Sequence, residues 1–163
     1  MHQRAAEFTE RARERHGVEV DVLEFDAGTE PAAAAAAALG CETGAIASTI
    51  VVSLSGGDRD SPDDLAAAIT SGANRLDLSA VADHFGAETA EMGDPSRIRE
   101  VVDWSIGGVP PICHDAPLLT VFDPTLTGYD TVYGAAGTPS AVFAVDPETL
   151  AELAEATVLD LTE

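Results

Sequence analysis

Hydrophobic and polar positions along the chain follow two periods, which predict helices and strands in mixed order. Residues 3–16 interleave arginine and glutamate before Gly17, a pattern typical of an exposed amphipathic helix. Period-two alternation predicts a strand at 18–25, and a β-branched-rich run predicts a buried strand at 45–54. Capping and breaker residues predict further helices at 31–39, 78–85, 95–102 and 147–156, and further strands at 87–92, 118–122, 131–135, 141–145 and 158–161. This order indicates an α+β domain.

Length and composition fit one globular domain. The 163 residues are 45% hydrophobic and contain no linker or repeat, so we predict a single domain over 1–163, with 1–17 as an exposed N-terminal helix. The longest apolar run, residues 32–39, is too short to cross a membrane, and the N-terminus lacks the apolar core of a signal peptide. These features predict a cytoplasmic protein.

Charge is the extreme feature of the composition. Eight arginines stand against 29 acidic residues, the chain contains no lysine, and the formal net charge is −21. This resembles the proteins of extreme halophiles, in which an acidic surface maintains solubility in concentrated salt. The alternative is an acidic protein that avoids nucleic acid by repulsion.

The cysteines indicate neither a disulfide framework nor a metal site. Cys41 and Cys113 lie far apart and form no C-x-x-C pair. Cys113 and His114 could supply two metal ligands, but no second pair at ligand spacing accompanies them. We therefore expect no metal and no organic cofactor.

The segment I-G-G-V-P-P-I-C-H, at residues 106–114, is the strongest candidate for chemistry. Glycines allow close backbone approach, whereas prolines lack an N–H and stiffen the chain. A rigid loop that exposes backbone N–H groups suits the binding of a carbonyl or an anion. The plain alternative is a turn between two elements.

The neighbours of this loop resemble, in order and spacing, the YbaK/EbsC family, a domain associated with prolyl-tRNA synthetase that removes wrong amino acids from tRNA. A-L-G-C at 38–41 and G-A-I-A-S-T-I-V-V at 44–52 are similar to the family's A-x-x-L-G … G-x-I-x-K-S-L-V-F segment. S-G-A-N-R-L-D-L at 71–78 is similar to its G-D-x-R-V-D segment, and G-G-V-P-P at 107–111 to its G-x-x-x-P loop. The resemblance covers roughly residues 18–160.

The resemblance implies a mixed, strongly curved, barrel-like β-sheet with helices packed outside, and a substrate pocket between the sheet and the glycine–proline loop. It also implies a strand at about residues 65–70. There the sequence S-P-D-D-L-A-A-A-I, at 61–69, carries a helix start signal and good helix formers. We expect the strand, because tertiary pairing overrides local propensity.

The activity that the resemblance implies is an aminoacyl-tRNA deacylase acting in trans on mischarged tRNA, with no membrane or DNA partner. In the family, the loop backbone lies against the ester, so the catalytic candidates are Gly107, Gly108, Val109 and Pro111. N–H groups in the 107–109 region would face the developing oxyanion. His114 either polarises the carbonyl or orients water, or it hydrogen-bonds the loop.

Ser48 replaces a lysine that many family members carry in the second strand, and this chain has no lysine elsewhere. Serine cannot supply a positive charge. Ser48 and Thr49 either line the pocket and orient water or are small polar strand residues. The missing lysine motivates a second hypothesis, a module that binds an aminoacyl end without hydrolysing it. A third is a scaffold that retains only the fold.

Phe25, Ile46 and Asp123 complete the predicted substrate site with Thr49. Asp123 could bind the α-amino group of the amino acid or cap the turn at Pro124. Phe25 and Ile46 are either pocket walls or core. Cys113 stands where many relatives have glycine, so the turn there must tolerate a side chain.

A chain at −21 should repel tRNA, but in molar salt the Debye length falls to ~3 Å. Recognition would then depend on short-range contacts. The arginines could contact phosphates or pair with nearby glutamates; the candidates are Arg4, Arg11, Arg13, Arg15, Arg97 and Arg99. The sequence indicates neither the amino acid, nor the tRNA, nor the oligomeric state.

Overall fold

A computed structural model of the chain describes residues 2–24, 32–56, 65–105, 107–116 and 118–163. Within these ranges lie five helices: α1 (Gln3–His16), α2 (Ala32–Leu39), α3 (Leu78–Phe85), α4 (Pro95–Val102) and α5 (Pro147–Leu153). The same ranges hold eight strands: β1 (Asp21–Glu24), β2 (Ile46–Ser55), β3 (Leu65–Ser71), β4 (Thr89–Met92), β5 (Leu119–Phe122), β6 (Val132–Ala135), β7 (Ala141–Val145) and β8 (Thr157–Val158). Helices packed with one mixed sheet confirm the predicted α+β fold.

All eight strands join this sheet, in the order β1-β7-β6-β2-β3-β5-β8, with β4 paired to β2. The pairs β2–β6, β3–β5 and β5–β8 are parallel, and the other pairs are antiparallel. β1 is shorter than the predicted strand at 18–25, because its pairing with β7 comprises only four residue pairs, from Asp21 to Glu24. Tertiary pairing rather than the alternation in sequence therefore sets its length.

β2 has different neighbours along its two edges. On one edge it pairs with β3 from Ala47 to Ser53. On the other edge, β6 pairs only with Ile46 and Ala47, and β4 pairs only with residues 52–55. Residues 48–51 therefore have no partner strand on this second edge within the described part of the chain. This gap in the sheet determines where the candidate site lies.

β3 confirms the strand expected over the alanine-rich segment. All seven of its residues, L-A-A-A-I-T-S, are buried between β2 and β5. Small side chains suit this central position, because both faces of the strand are covered. The helix start signal at residues 61–64 lies outside the described residues.

α1 is exposed only along its charged face. Ala5, Phe8 and Ala12 form its buried face, and the Phe8 ring is fully buried. The centroid of that ring lies 4.9 Å from the ring of Phe143 in β7 and 6.2 Å from the ring of Trp104. The N-terminal helix therefore contributes to the main core.

A small hydrophobic cluster joins Ala35 and Ala36 of α2 to Ile46, and the sheet separates the two main hydrophobic cores. The larger lies with α1 and the 104–113 segment, and contains Phe8, Trp104, Phe122 and Phe143. The smaller lies against α3 and includes Val52 and Val81 of the described residues. No helix among the residues described is both long and apolar enough to cross a membrane.

Replacing Phe8 by alanine should destabilise the fold by about 3–5 kcal/mol, the usual cost of deleting a fully buried phenylalanine ring. The free energy of unfolding would be measured by urea titration in molar KCl. Glu10→Ala, on the exposed face of the same helix, is the matched control and should change stability by less than ~0.5 kcal/mol. Equal small effects of both substitutions would contradict this packing of α1.

Candidate active site

A cavity of about 130 Å³ lies at the gap in the sheet. Its walls are β2 from Ile46 to Val51, the facing ends of β4 and β6, Ile98 of α4, and the glycine–proline loop. The cavity brings together five of the predicted site residues, which are Ile46, Ser48, Thr49, Gly107 and Val109. Gly108, Pro111, His114 and Asp123 do not line it, and Phe25 lies outside the described residues.

Gly108 has a structural role in the loop that differs from the predicted one. Its N–H donates to the carbonyl oxygen of Ser105 at 3.0 Å, so this N–H is not available to an oxyanion. A Cβ at Gly108 would approach the backbone of Thr138 to 2.8–3.0 Å, which only glycine avoids. Gly108 therefore allows the loop to pack closely against the 136–140 turn.

Val109 supplies another donor of the predicted oxyanion site. It lines the cavity, and its backbone N–H makes no hydrogen bond within the described part of the chain. The next two residues, Pro110 and Pro111, have no N–H. Pro111 instead packs against β6, because a Cβ at Gly134 would lie 3.0 Å from the proline ring.

Thr49 carries the second polar group without a partner in the cavity wall. Its Oγ1 atom is buried and makes no hydrogen bond to any described residue. Ser48 is half-buried and lines the same cavity. None of the described residues that line the cavity is charged. The described wall of the cavity is therefore neutral, with hydroxyl and backbone groups as its polar features.

Cys113 adopts the backbone conformation that its glycine counterparts in relatives would favour. Its φ is +67°, in the left-handed region, and its side chain is buried. Burial raises the pKa of the thiol to about 11, so the group stays protonated at neutral pH and is a poor nucleophile. Its carbonyl oxygen accepts a hydrogen bond of 2.9 Å from the indole N–H of Trp104. The loop thus tolerates a side chain at this turn.

His114 holds the loop from outside the cavity. Its Nε2 lies 2.7 Å from the carbonyl oxygen of Pro110, so Nε2 carries the proton and donates. Burial lowers the pKa of His114, which favours the neutral ring. The ring lines a separate groove of about 740 Å³, together with Arg15 and Pro111. The geometry matches the second alternative for His114, a hydrogen bond to the loop.

Asp123 caps the turn at Pro124, which is the second of the two roles considered for this residue. The carboxylate is buried; Oδ1 accepts from the backbone N–H of Thr125 at 2.9 Å. Oδ2 accepts from the N–H of Ser71 at 3.1 Å and from the Asn74 side chain at 2.9 Å. Asp123 therefore caps the 3₁₀ turn Pro124–Gly128 and lies away from the cavity. Its assignment to the substrate site is not supported by this geometry.

Three arginines of α1 hold the two ends of the loop. Arg4 donates to the carbonyl oxygen of Asp103, and Arg11 pairs with the Asp103 carboxylate at 2.7 Å. At the other end, Arg15 donates to the carbonyl oxygen of His114 at 2.6 Å. We call these three side chains the arginine clamp. The hydrogen bond from Arg11 lowers the pKa of Asp103, which strengthens the ionised pair.

The arginine clamp was missed by the sequence interpretation, although its signal is present. Positions 4, 8, 11 and 15 are spaced by three or four residues and lie on one helix face. Each α1 arginine forms an ion pair with a carboxylate; the pairs are Arg4–Glu7, Arg11–Asp103, Arg13–Glu19 and Arg15–Asp115. Two of these pairs are with nearby glutamates, as that alternative predicts, and the other two are with the distant aspartates Asp103 and Asp115.

The fold and the site define an α+β domain with a small neutral cavity beneath a rigid glycine–proline loop. Residues 26–153 match the sequence model of the aminoacyl-tRNA editing domain. The chain belongs to this family, which confirms the resemblance seen in the sequence.

Solved structures agree with this assignment. A crystal structure described as that of "a putative trans-editing enzyme for prolyl tRNA synthetase" is 33% identical, with a TM-score of 0.89, covering 100% of this chain and 99% of that one. A structure from work on epitope backbone grafting by computational design is 31% identical, with a TM-score of 0.88 and coverage of 100% and 99%. A hypothetical protein is 25% identical, with a TM-score of 0.79 and coverage of 96% and 99%.

Gly108→Ala should destabilise the protein by about 1–3 kcal/mol, because the added methyl group must displace the backbone of Thr138 or of the loop. Urea titration of the variant measures this change. Gly128→Ala is the control, since nothing lies within 4 Å of a Cβ at that position and stability should change by less than ~0.5 kcal/mol. Unchanged stability of Gly108→Ala would show that the loop packs differently.

The stability contributed by neutral His114 should be complete above its unfolded pKa, near 6.5, and should be lost as the pH falls towards the lower folded pKa. His114→Gln retains a side-chain N–H that can donate to Pro110 but removes this titration. The difference in unfolding free energy between wild type and His114→Gln should therefore shift in favour of the variant between pH 7 and pH 5. Other titrating groups are common to both proteins and cancel. A pH-independent difference would contradict the neutral, buried ring.

Proposed function

We propose that the protein is an aminoacyl-tRNA deacylase that acts in trans and hydrolyses the ester between a wrong amino acid and the terminal ribose of tRNA. The observation that carries this proposal is the meeting of the glycine–proline loop, at Gly107 and Val109, with the β2 cavity. Membership in the editing-domain family and the likeness to a trans-editing structure support it.

The reaction needs a water molecule, a place for the ester carbonyl and donors for the oxyanion. Water attacks the carbonyl carbon, the bond from that carbon to the ribose oxygen breaks, and the ribose oxygen takes a proton. The products are a free amino acid and an uncharged tRNA end. The Val109 N–H is our candidate donor to the developing oxyanion. Gly107 lines the same wall, and the hydroxyl groups of Ser48 and Thr49 orient the water.

The other predicted site residues act through the loop rather than on the ester. Gly108 permits close packing against Thr138, Pro111 packs against β6, and His114 fixes the carbonyl of Pro110. We propose these three as positioning residues. Ile46 forms a wall of the cavity.

We further propose that the protein works in a salt-rich cytoplasm, where screening lets an acidic protein approach tRNA. The net charge of −21 and the absence of lysine support this. The arginines of α1 are engaged in ion pairs. We therefore assign the contacts to tRNA phosphates to α4. Arg99 is exposed there, next to Ile98 in the cavity wall.

The second candidate function is a module that binds an aminoacyl end without hydrolysing it. Ser48 at the position of the family lysine, together with a neutral cavity wall, favours this candidate. Binding without turnover would be its signature.

Release of amino acid from a panel of mischarged tRNAs, including alanyl- and cysteinyl-tRNA for proline, should show turnover of at least one ester in molar KCl. Gly108→Val should lower the rate of that ester by at least tenfold, because the loop is displaced. Ser48→Ala and His114→Ala should each lower it measurably, and Gly128→Ala is the control. Full activity in all three variants would place the site elsewhere. Binding without turnover of any ester by the folded protein would favour the second candidate.

A further inference from the structure

The gap beside β2 leaves backbone hydrogen-bonding groups without a partner strand. Within the described residues, positions 48–51 pair with β3 on one edge only, because the pairing of β2 with β6 ends at Ala47 and its pairing with β4 begins at Val52. The cavity occupies the place where a neighbouring strand would otherwise lie. Unpaired groups at such an edge are a template for any ligand with complementary donors and acceptors.

Two hydrogen bonds show which residue faces the gap. The carbonyl oxygen of Val51 accepts from the N–H of Gly93, which follows β4, so Val51 points towards the β4 edge. The carbonyl oxygen of Ile46 accepts from the N–H of Gly72, which follows β3, so Ile46 points the other way. Because the N–H and C=O of alternate strand residues point to the same edge, both groups of Thr49 face the gap.

An aminoacyl ester has the groups that such an edge pairs with. In an antiparallel pair, the N–H and C=O of one residue bond to the C=O and N–H of a single partner residue. The α-amino group and ester carbonyl of an amino acid have the same one-carbon separation. The amino acid can therefore pair with Thr49 as a one-residue strand.

The charge of the cavity makes this pairing specific. No charged side chain lines the cavity among the described residues, and the Asp123 carboxylate is fully used by its turn. A polar group buried without a partner is costly, so an amino group that enters must donate to a neutral acceptor. The backbone carbonyl oxygen of Thr49 is the acceptor that the sheet directs into the gap.

We propose, on the basis of the proposed deacylase function, that the backbone carbonyl of Thr49 binds the α-amino group of the aminoacyl ester. Thr49 is then a specificity determinant through its main chain. The protein would select substrates with an α-amino donor and reject acyl groups that lack one, whatever their side chain.

The test compares two amide-linked, non-hydrolysable analogues of the tRNA end, in which adenosine carries alanine or propionate at the 3′ position. They differ only by the α-amino group. Their dissociation constants would be measured with the full protein in molar KCl. Removal of the amino group should weaken binding by about 10- to 100-fold, the range for a hydrogen bond to a charged group. Equal affinities would overturn the inference, whether or not any ester is hydrolysed.

Turnover separates this inference from the proposed function. Alanyl- and propionyl-tRNA would be compared after each rate is divided by its own uncatalysed rate, since the amino group itself activates the ester. A similar preference for the alanyl ester supports both proposals. Failure to hydrolyse these two esters and every ester of the mischarged panel, with the alanyl analogue still bound more tightly, would overturn the deacylase proposal and leave the Thr49 contact intact.

Thr49→Val distinguishes the backbone from the side chain. Valine removes Oγ1 but keeps the strand and its carbonyl, so discrimination between the two analogues should be unchanged within about threefold. Loss of that discrimination in a folded variant would assign the contact to the hydroxyl and overturn the backbone assignment. Ser53→Ala, at the β4-paired end of the same strand, is the control for substitution in β2.

Discussion

The geometry of the glycine–proline loop depends on the contacts of the Trp104 indole. Its N–H holds the carbonyl of Cys113, and the guanidinium groups of Arg4 and Arg11 lie 4.2 and 4.7 Å from its ring centroid. Each such cation–π contact contributes about 0.5–2 kcal/mol, more when it is shielded from water. Gly137 is required beside it, because a Cβ there would lie 2.7 Å from the ring. One buried ring thus joins α1 to both ends of the glycine–proline loop.

The arginine clamp and the interrupted sheet complement each other. The clamp fixes the loop as a rigid unit, and the gap between β6 and β4 supplies the space over which the loop closes. Neither feature alone makes a site: an unbroken sheet would leave no cavity beneath Val109, and an unanchored loop would not keep Val109 against one. The candidate site therefore depends both on the local backbone geometry of the loop and on the long-range strand pairing of a few residues of β2.

Sequence patterns predicted those parts of the fold that local chemistry determines. Asp94 and Asp146 cap the helices that they were expected to begin, because their carboxylates accept from the first-turn N–H groups. β3 required the family resemblance, since its alanines favour helix and only burial between two strands makes it extended. The family motif placed Gly108 against the ester, and for His114 and Asp123 it left a substrate role and a structural role open. The hydrogen bonds of Gly108 and His114 reach residues close in sequence, whereas Asp123 also accepts from the distant Ser71 and Asn74, and no hydrophobic period reports on such bonds.

The absence of lysine bears on how this site would stabilise an oxyanion. A charge at the mouth of a site is screened by molar salt, whose Debye length is ~3 Å, whereas backbone dipoles in a closed cavity are not reached by ions. The described wall of the cavity contains Val109 and Thr49, whose backbone groups are the dipoles that we propose, and no charged residue. An enzyme in concentrated salt loses little by exchanging a lysine for serine if its donors are fixed N–H groups. The clamp that fixes them combines ion pairs with stacking on a buried ring, and the stacking persists when salt screens the pairs. The rigidity of the loop is thus the property that would let a neutral cavity stabilise an oxyanion without a charged side chain.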